Sequence, residues 1–124
     1  MATRPRFDGQ PYVDAYGEGG FRLAGQRFEG SVLITPRGLF PWPLRSIEEA
    51  SAASFAPVLD ASSEFDFLIV GSGGETAFLP AAVRRYVESK TIVPDVMATG
   101  PACRTYNLML SENRRVAAAL IAVA

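Results

Sequence analysis

The hexapeptide Gly71-Ser-Gly-Gly-Glu-Thr76 is the stretch whose residue types come nearest to a recognisable chemistry: three glycines in four positions, after an apolar run and before a helical pattern. Glycines in such a turn let backbone N–H groups approach a phosphate or carboxylate, and a helix N-terminus behind the turn would add a favourable dipole. A dinucleotide fingerprint needs glycine where Thr76 stands and a helix opening directly behind it, whereas the helical pattern starts only near Pro80. The turn therefore reads first as a structural turn using positive φ. It reads second as a site for a small anion or ligand built from Gly71, Ser72, Gly73, Gly74, Glu75 and Thr76. Arg104 and Asn107, with Thr105, fall on the first turns of a later helix and reach this turn if both lie at one end of a sheet. Capping and helix-surface roles are the alternative for them.

The other reactive groups form no constellation. Glu64, Asp66, Glu75 and Asp95 stand near predicted strand ends, but no spacing pairs one as acid with another as base, and solvated surface charge is the plainer reading. Cys103 falls near a helix N-terminus, where the macrodipole favours a thiolate. It also occupies the apolar side of that helix, which suits a small buried hydrophobe. The chain has no histidine, so the commonest general base and metal ligand are both missing. Its single cysteine excludes an intrachain disulfide and any multi-cysteine metal site. We expect no metal, no cofactor and no enzymatic activity. Phe40-Pro-Trp-Pro43 places the only tryptophan in a segment whose prolines cannot join a ladder. Phe40 and Trp42 are thus candidates for a partner surface, with packing of Trp42 across the end of a hairpin the alternative.

The elements that must position these residues follow from periodicity. Residues 1–11 are polar and rich in proline and glycine, which predicts a loosely held arm before one domain over 12–124. Tyr12–Tyr16 alternates and opens a first strand. Phe21–Phe28 alternates about Ala24-Gly25 as a hairpin, and Ser31–Thr35 is a β-rich run continued by Leu39–Pro43 at an edge. Ser46 caps a short helical turn carrying Glu48 and Glu49, and a second covers Ser54 to Asp60. Phe65–Val70 has too few polar positions for a one-sided strand, so both its faces are expected to be covered. A helix from Pro80 to about Lys90 would bury Leu79, Val83, Tyr86 and Val87. Thr91–Met97 gives an edge strand, a helix from Thr99 or Gly100 buries Ala102, Cys103 and Tyr106, and Val116–Val123 is a last strand in the middle of the sheet. Strand, helix, strand, helix, strand is the signature of an α/β sheet with crossovers.

Composition agrees with this class. A chain of 124 residues that is 48% apolar, 20% charged and of net charge −1 can bury a core without staples, and offers no basic stripe for a nucleic acid. The longest apolar run, Val116–Ala124, is far short of the roughly 20 residues a membrane span requires. The N-terminus lacks the apolar core of a signal peptide. A cytoplasmic protein is expected.

Tyr16–Phe21 with Gly19 and Gly20, Gly25, Gly30-Ser-Val-Leu-Ile34, Trp42, Leu68-Ile-Val-Gly-Ser-Gly73, Ala102-Cys-Arg-Thr-Tyr-Asn107 and Arg115-Val-Ala-Ala-Ala-Leu-Ile121 stand in an order that carries a resemblance. The chain resembles, from about Tyr12 to Ile121, the domain-of-unknown-function family that includes the mitochondrial respiratory complex I assembly factor 3 and bacterial and archaeal single-domain relatives. The resemblance implies a three-layer α/β domain: a central mixed sheet, helices, and an added N-terminal β-hairpin layer. It implies a non-enzymatic interaction protein with a protein partner, assisting assembly of a membrane respiratory or translocation complex. On that footing the chain would work peripherally at the inner membrane from the cytoplasmic side. The family brings no catalytic residues to carry over.

Overall fold

The computed structural model describes residues 9–124, so the expected arm falls largely outside the described residues. Where the description begins, Gln10 Nε2 donates to the Val116 carbonyl at 2.8 Å and Pro11 is buried, its carbonyl accepting from Tyr106 Oη at 2.8 Å.

The first sheet is a small antiparallel meander of β1 (Val13–Gly17), β2 (Gly20–Leu23) and β3 (Gln26–Glu29). The expected hairpin is its second half, closed by Ala24 and Gly25, both at positive φ, between the paired residues Leu23 and Gln26. Two consecutive positive φ values match the right-handed twist of the flanking strands. The added layer is thus three-stranded, because β1 pairs with β2 and not with the central sheet.

The central sheet holds five strands in the order β5-β4-β8-β6-β7. β4 (Ser31–Thr35) pairs antiparallel with β5 (Gly38–Trp42) and with β8 (Val116–Leu120). β6 (Phe67–Gly71) lies parallel to both β8 and β7 (Pro94–Met97). The sheet is therefore mixed, and the two strands read as covered on both faces, β6 and β8, sit inside it.

Alternation survives within these apolar strands as a choice between two cores. Leu33, Leu68, Val70, Ala117 and Ala119 face one layer, which holds Trp42, Phe55, Val58 of α1 (Ala56–Asp60), and Val83 and Val87 of α2 (Ala81–Glu88). Val32, Ile34, Ile69, Ala118 and Leu120 face the other, which holds α3 (Thr99–Ser111) and Phe21 and Leu23 of the small sheet. Successive side chains of a strand point to opposite faces, so one unbroken apolar run can serve both. The three alanines of β8 are fully buried and let helix and sheet approach closely from the two sides.

Two placements differ from expectation. Tyr86 is 43% exposed, with Lys90 Nζ 5.3 Å from its ring centre. At 100° per residue it stands roughly 60° to the side of the Val83–Val87 stripe that meets the sheet. Trp42 lies inside: it is 1% exposed and meets Phe55 edge-on at 5.2 Å between ring centres. An indole in that position cannot touch a partner while β5 stays in place. The partner-surface expectation for Trp42 is therefore corrected, and of the two candidates only the half-buried Phe40 retains exposure.

Candidate functional site

The glycine turn and the start of α3 do lie at one end of the sheet, beyond the carboxyl ends of β6, β7 and β8. Two hydroxyls join them. Thr99, fully buried, donates from Oγ1 to the Ile121 carbonyl at 2.7 Å and accepts the Gly73 N–H at 3.0 Å. Its own N–H donates to the Gly73 carbonyl at 2.8 Å. The single Ser72 O–H has two carbonyls in reach, Glu75 at 2.8 Å and Met97 at 3.1 Å, and its oxygen accepts the Ala77 N–H at 3.0 Å. Sequence local to the turn supplies Ser72, whereas Thr99 comes from 26 positions away.

Glycine is required here for two separate reasons. Gly71 brings β6 under the helix: a Cβ there would stand 3.0 Å from both Thr99 Cα and Thr99 Oγ1, and 3.1 Å from a Leu120 methyl. Gly73 has φ +115°, outside the range that L side chains adopt readily. The backbone donors nearest to where a nucleotide phosphate would sit are consequently spent inside the chain. The Ser72 N–H goes to the Met97 carbonyl at 2.8 Å and the Gly73 N–H to Thr99. Gly74, Glu75 and Thr76 form an exposed rim.

The two polar residues predicted to help this turn go elsewhere. Asn107 accepts the Val13 N–H at 2.9 Å and donates to the Val13 carbonyl at 2.9 Å, so its amide takes the place of a neighbouring strand along β1. Arg104 is exposed and its side chain has no hydrogen bond or ion pair among the described residues. Tyr16 is no site candidate by sequence, yet its hydroxyl lies over the first turn of α3, 2.5 Å from where a Cβ on Gly100 would stand. No local pattern announces that contact, because it joins the small sheet to a helix more than 80 positions later.

Of the remaining candidates Glu75 and Asp95 are exposed, and the others are occupied or buried. Asp66 binds Arg115 through two oxygens, at 3.0 and 3.1 Å, and this hydrogen bonding holds its carboxyl below the usual range. Glu64 pairs with Arg37 at 2.6 Å. Glu49 accepts the N–H groups of Arg45 and Ser46, at 2.6 and 3.0 Å, and its pKa is lowered by them. Cys103 is buried, and desolvation pushes its thiol up to about 12 against a smaller opposing effect of Arg104. A thiol in that state is not a nucleophile. Among the described residues no three Asp, Glu or Cys side chains gather as a metal site. No helix among them is long and apolar enough to cross a membrane.

Comparison with known proteins matches residues 13–121 to a family model described as protein of unknown function (DUF498/DUF598). An uncharacterised protein of Rhodobacter capsulatus is 35% identical over 122 residues, covering 98% of this chain and 93% of its own length. NADH dehydrogenase [ubiquinone] 1 alpha subcomplex assembly factor 3 of Xenopus tropicalis is 27% identical over 110 residues, 89% of this chain; the chain spans 60% of that relative's length. A crystal structure described as an outer membrane protein from Bartonella henselae superposes with a TM-score of 0.89 at 37% identity, covering 96% of this chain and 100% of that one.

Proposed function

The chain belongs to the DUF498/DUF598 family of proteins of unknown function, and on that footing we propose that it is a non-enzymatic interaction protein assisting assembly of a membrane respiratory complex of the NADH dehydrogenase kind. The observation that carries this reading is that its likeness to the assembly factors covers 89% of the chain. Two features of the molecule support it. The one cysteine is buried and held protonated, and the glycine turn spends its inner donors on Thr99 and Met97. A protein that works by contact needs neither a nucleophile nor an anion cradle. On this reading it acts through a protein partner, from the cytoplasmic side of the inner membrane.

Affinity purification of the tagged chain after mild crosslinking in its source cell tests the proposal. Subunits or subassemblies of NADH dehydrogenase should be enriched over a tag-only control. Their absence, with the bait recovered intact, removes the reading.

A second use of the same end of the sheet rests on one specific observation. The N–H groups of Gly74, Glu75 and Thr76 donate to no acceptor among the described residues, so a small anion could still be held at the outer rim. Thermal-shift titration with phosphate, nucleotides and carboxylates tests it, and a flat melting temperature for all three sinks it.

A further inference from the structure

Two open sheets have four edges, and three of these are guarded. β5 carries Pro41 within the strand and Pro43 just after it, and proline donates no ladder hydrogen bond. On β1 the Val13 N–H and carbonyl are taken by Asn107. β3 presents Gln26, Arg27 and Glu29 to solvent. The fourth edge, β7, has proline only at its first position and no strand on its outer side among the described residues.

Exposed apolar side chains occur on the segments that flank this edge in the chain or pack on it. Among the described residues seven large hydrophobic side chains are exposed, and five belong to segments adjoining β7. Phe67 is on the paired strand β6, Phe78 on the connection leaving β6, Tyr86 on α2, Val93 directly before β7, and Leu108 on α3. Phe78, Val93 and Leu108 are 90%, 73% and 59% exposed. Thr105 Oγ1 lies 3.5 Å from the Met97 sulfur, which sets one side of α3 over β7, and Leu108 follows three positions later on that side. Hydrophobic side chains exposed singly are ordinary, but Val93 directly before β7 and Leu108 on the side of α3 set over it leave apolar surface beside a solitary edge strand.

The charges along the same rim complement each other. Asp95 in β7 and Arg104 beside Thr105 are both exposed, and neither side chain has a hydrogen bond or ion pair among the described residues. One surface carrying an unpaired acid and an unpaired base satisfies both by meeting a copy of itself, because a two-fold axis pairs each residue i with j and each j with i.

We propose that the β7 edge is the interface of a homodimer. Two copies pair β7 antiparallel across a two-fold axis and join their central sheets. Val93 and Leu108 become buried, and Asp95 of one protomer stands against Arg104 of its partner. The inference is independent of the assembly role, since it concerns only how copies of this chain meet.

Sedimentation of the full chain over a concentration series tests it. The wild type should sediment as a dimer at high concentration, and Leu108→Glu should sediment as a monomer with an unchanged far-ultraviolet circular dichroism spectrum. Asp95→Arg and Arg104→Asp should each raise the dimer Kd by about tenfold or more, since two like-charge contacts arise by symmetry. The double swap should return it to near the wild-type value. The side chains of Asp95 and Arg104 have no hydrogen bond or ion pair among the described residues, so the swap remains informative even if Leu108→Glu fails to fold. A wild-type chain that is monomeric throughout, a dimer indifferent to these substitutions, or a double swap no better than the singles would each overturn the proposal. So would an edge that takes up only a strand of another protein while the chain itself stays monomeric.

Discussion

Replacing Thr99 by valine asks whether the glycine turn is held by its own chain. The substitution keeps the shape of the side chain and removes one hydroxyl. That hydroxyl donates to the Ile121 carbonyl at 2.7 Å and accepts the Gly73 N–H at 3.0 Å, inside a residue that is fully buried. A buried polar group left without its partner costs about 1–3 kcal/mol. Two groups are orphaned here, and Gly73 is half-buried and can recruit water, so the expected loss is about 2–4 kcal/mol. Against a total stability of roughly 5–15 kcal/mol this is a large fraction. Urea denaturation followed by circular dichroism reads it as a lower midpoint at unchanged slope. Thr99→Ser, which keeps the hydroxyl and loses only a methyl group, should cost about 1 kcal/mol. If Thr99→Val falls within about 0.5 kcal/mol of the wild type, the hydroxyl does not hold the turn and the case for a self-satisfied loop fails.

Other positions give independent checks. Trp42 Nε1 is buried without a hydrogen-bond partner among the described residues, so Trp42→Phe removes an unsatisfied donor along with some packing and should stay within about 1 kcal/mol of the wild type, whereas Trp42→Ala should lose about 3–5 kcal/mol. Cys103 should resist a thiol reagent at pH 8 in the native protein and react stoichiometrically in denaturant; rapid labelling of the folded chain would contradict its burial. Asp66, Glu29 and Glu49 have lowered pKa values, through Arg115, Arg27 and backbone N–H groups respectively. The stability they contribute is present above their unfolded values of 3.8 and 4.5 and is lost as pH falls through the folded ones. With no histidine, denaturation midpoints should be level from about pH 6 to 8 and fall below about pH 4.5, so a slope near neutrality would contradict the assignment. Asn107→Ala should speed amide exchange at Val13 and its β1 neighbours, measured by mass spectrometry, and leave β6 and β8 protected.

The central sheet was legible because its inner strands state their environment in composition alone. Phe67–Gly71 and Val116–Leu120 are apolar without alternation, and only a strand covered on both faces is written that way. The turn at Ala24-Gly25 and the helix opening at Thr99 were legible for local reasons, positive φ and an N-terminal proline. What stayed hidden depends on partners distant in sequence. Nothing beside Thr99 points to Ile121, and nothing beside Asn107 points to Val13. Trp42 was ambiguous because its neighbours Pro41 and Pro43 speak of an edge, while the burial of its ring is decided by Phe55 across a connection. Tyr86 fits the 3.6-residue period but lies on the shoulder of the stripe, a difference that only the width of the sheet beneath α2 decides.

Deletion of the gene in its source organism, with the NADH dehydrogenase resolved on native gels, tests the assembly role most directly. The account predicts loss of the complete complex, accumulation of its subassemblies, and recovery of both on re-expression of the wild-type chain. Complete complex at wild-type abundance in the deletion strain would contradict it.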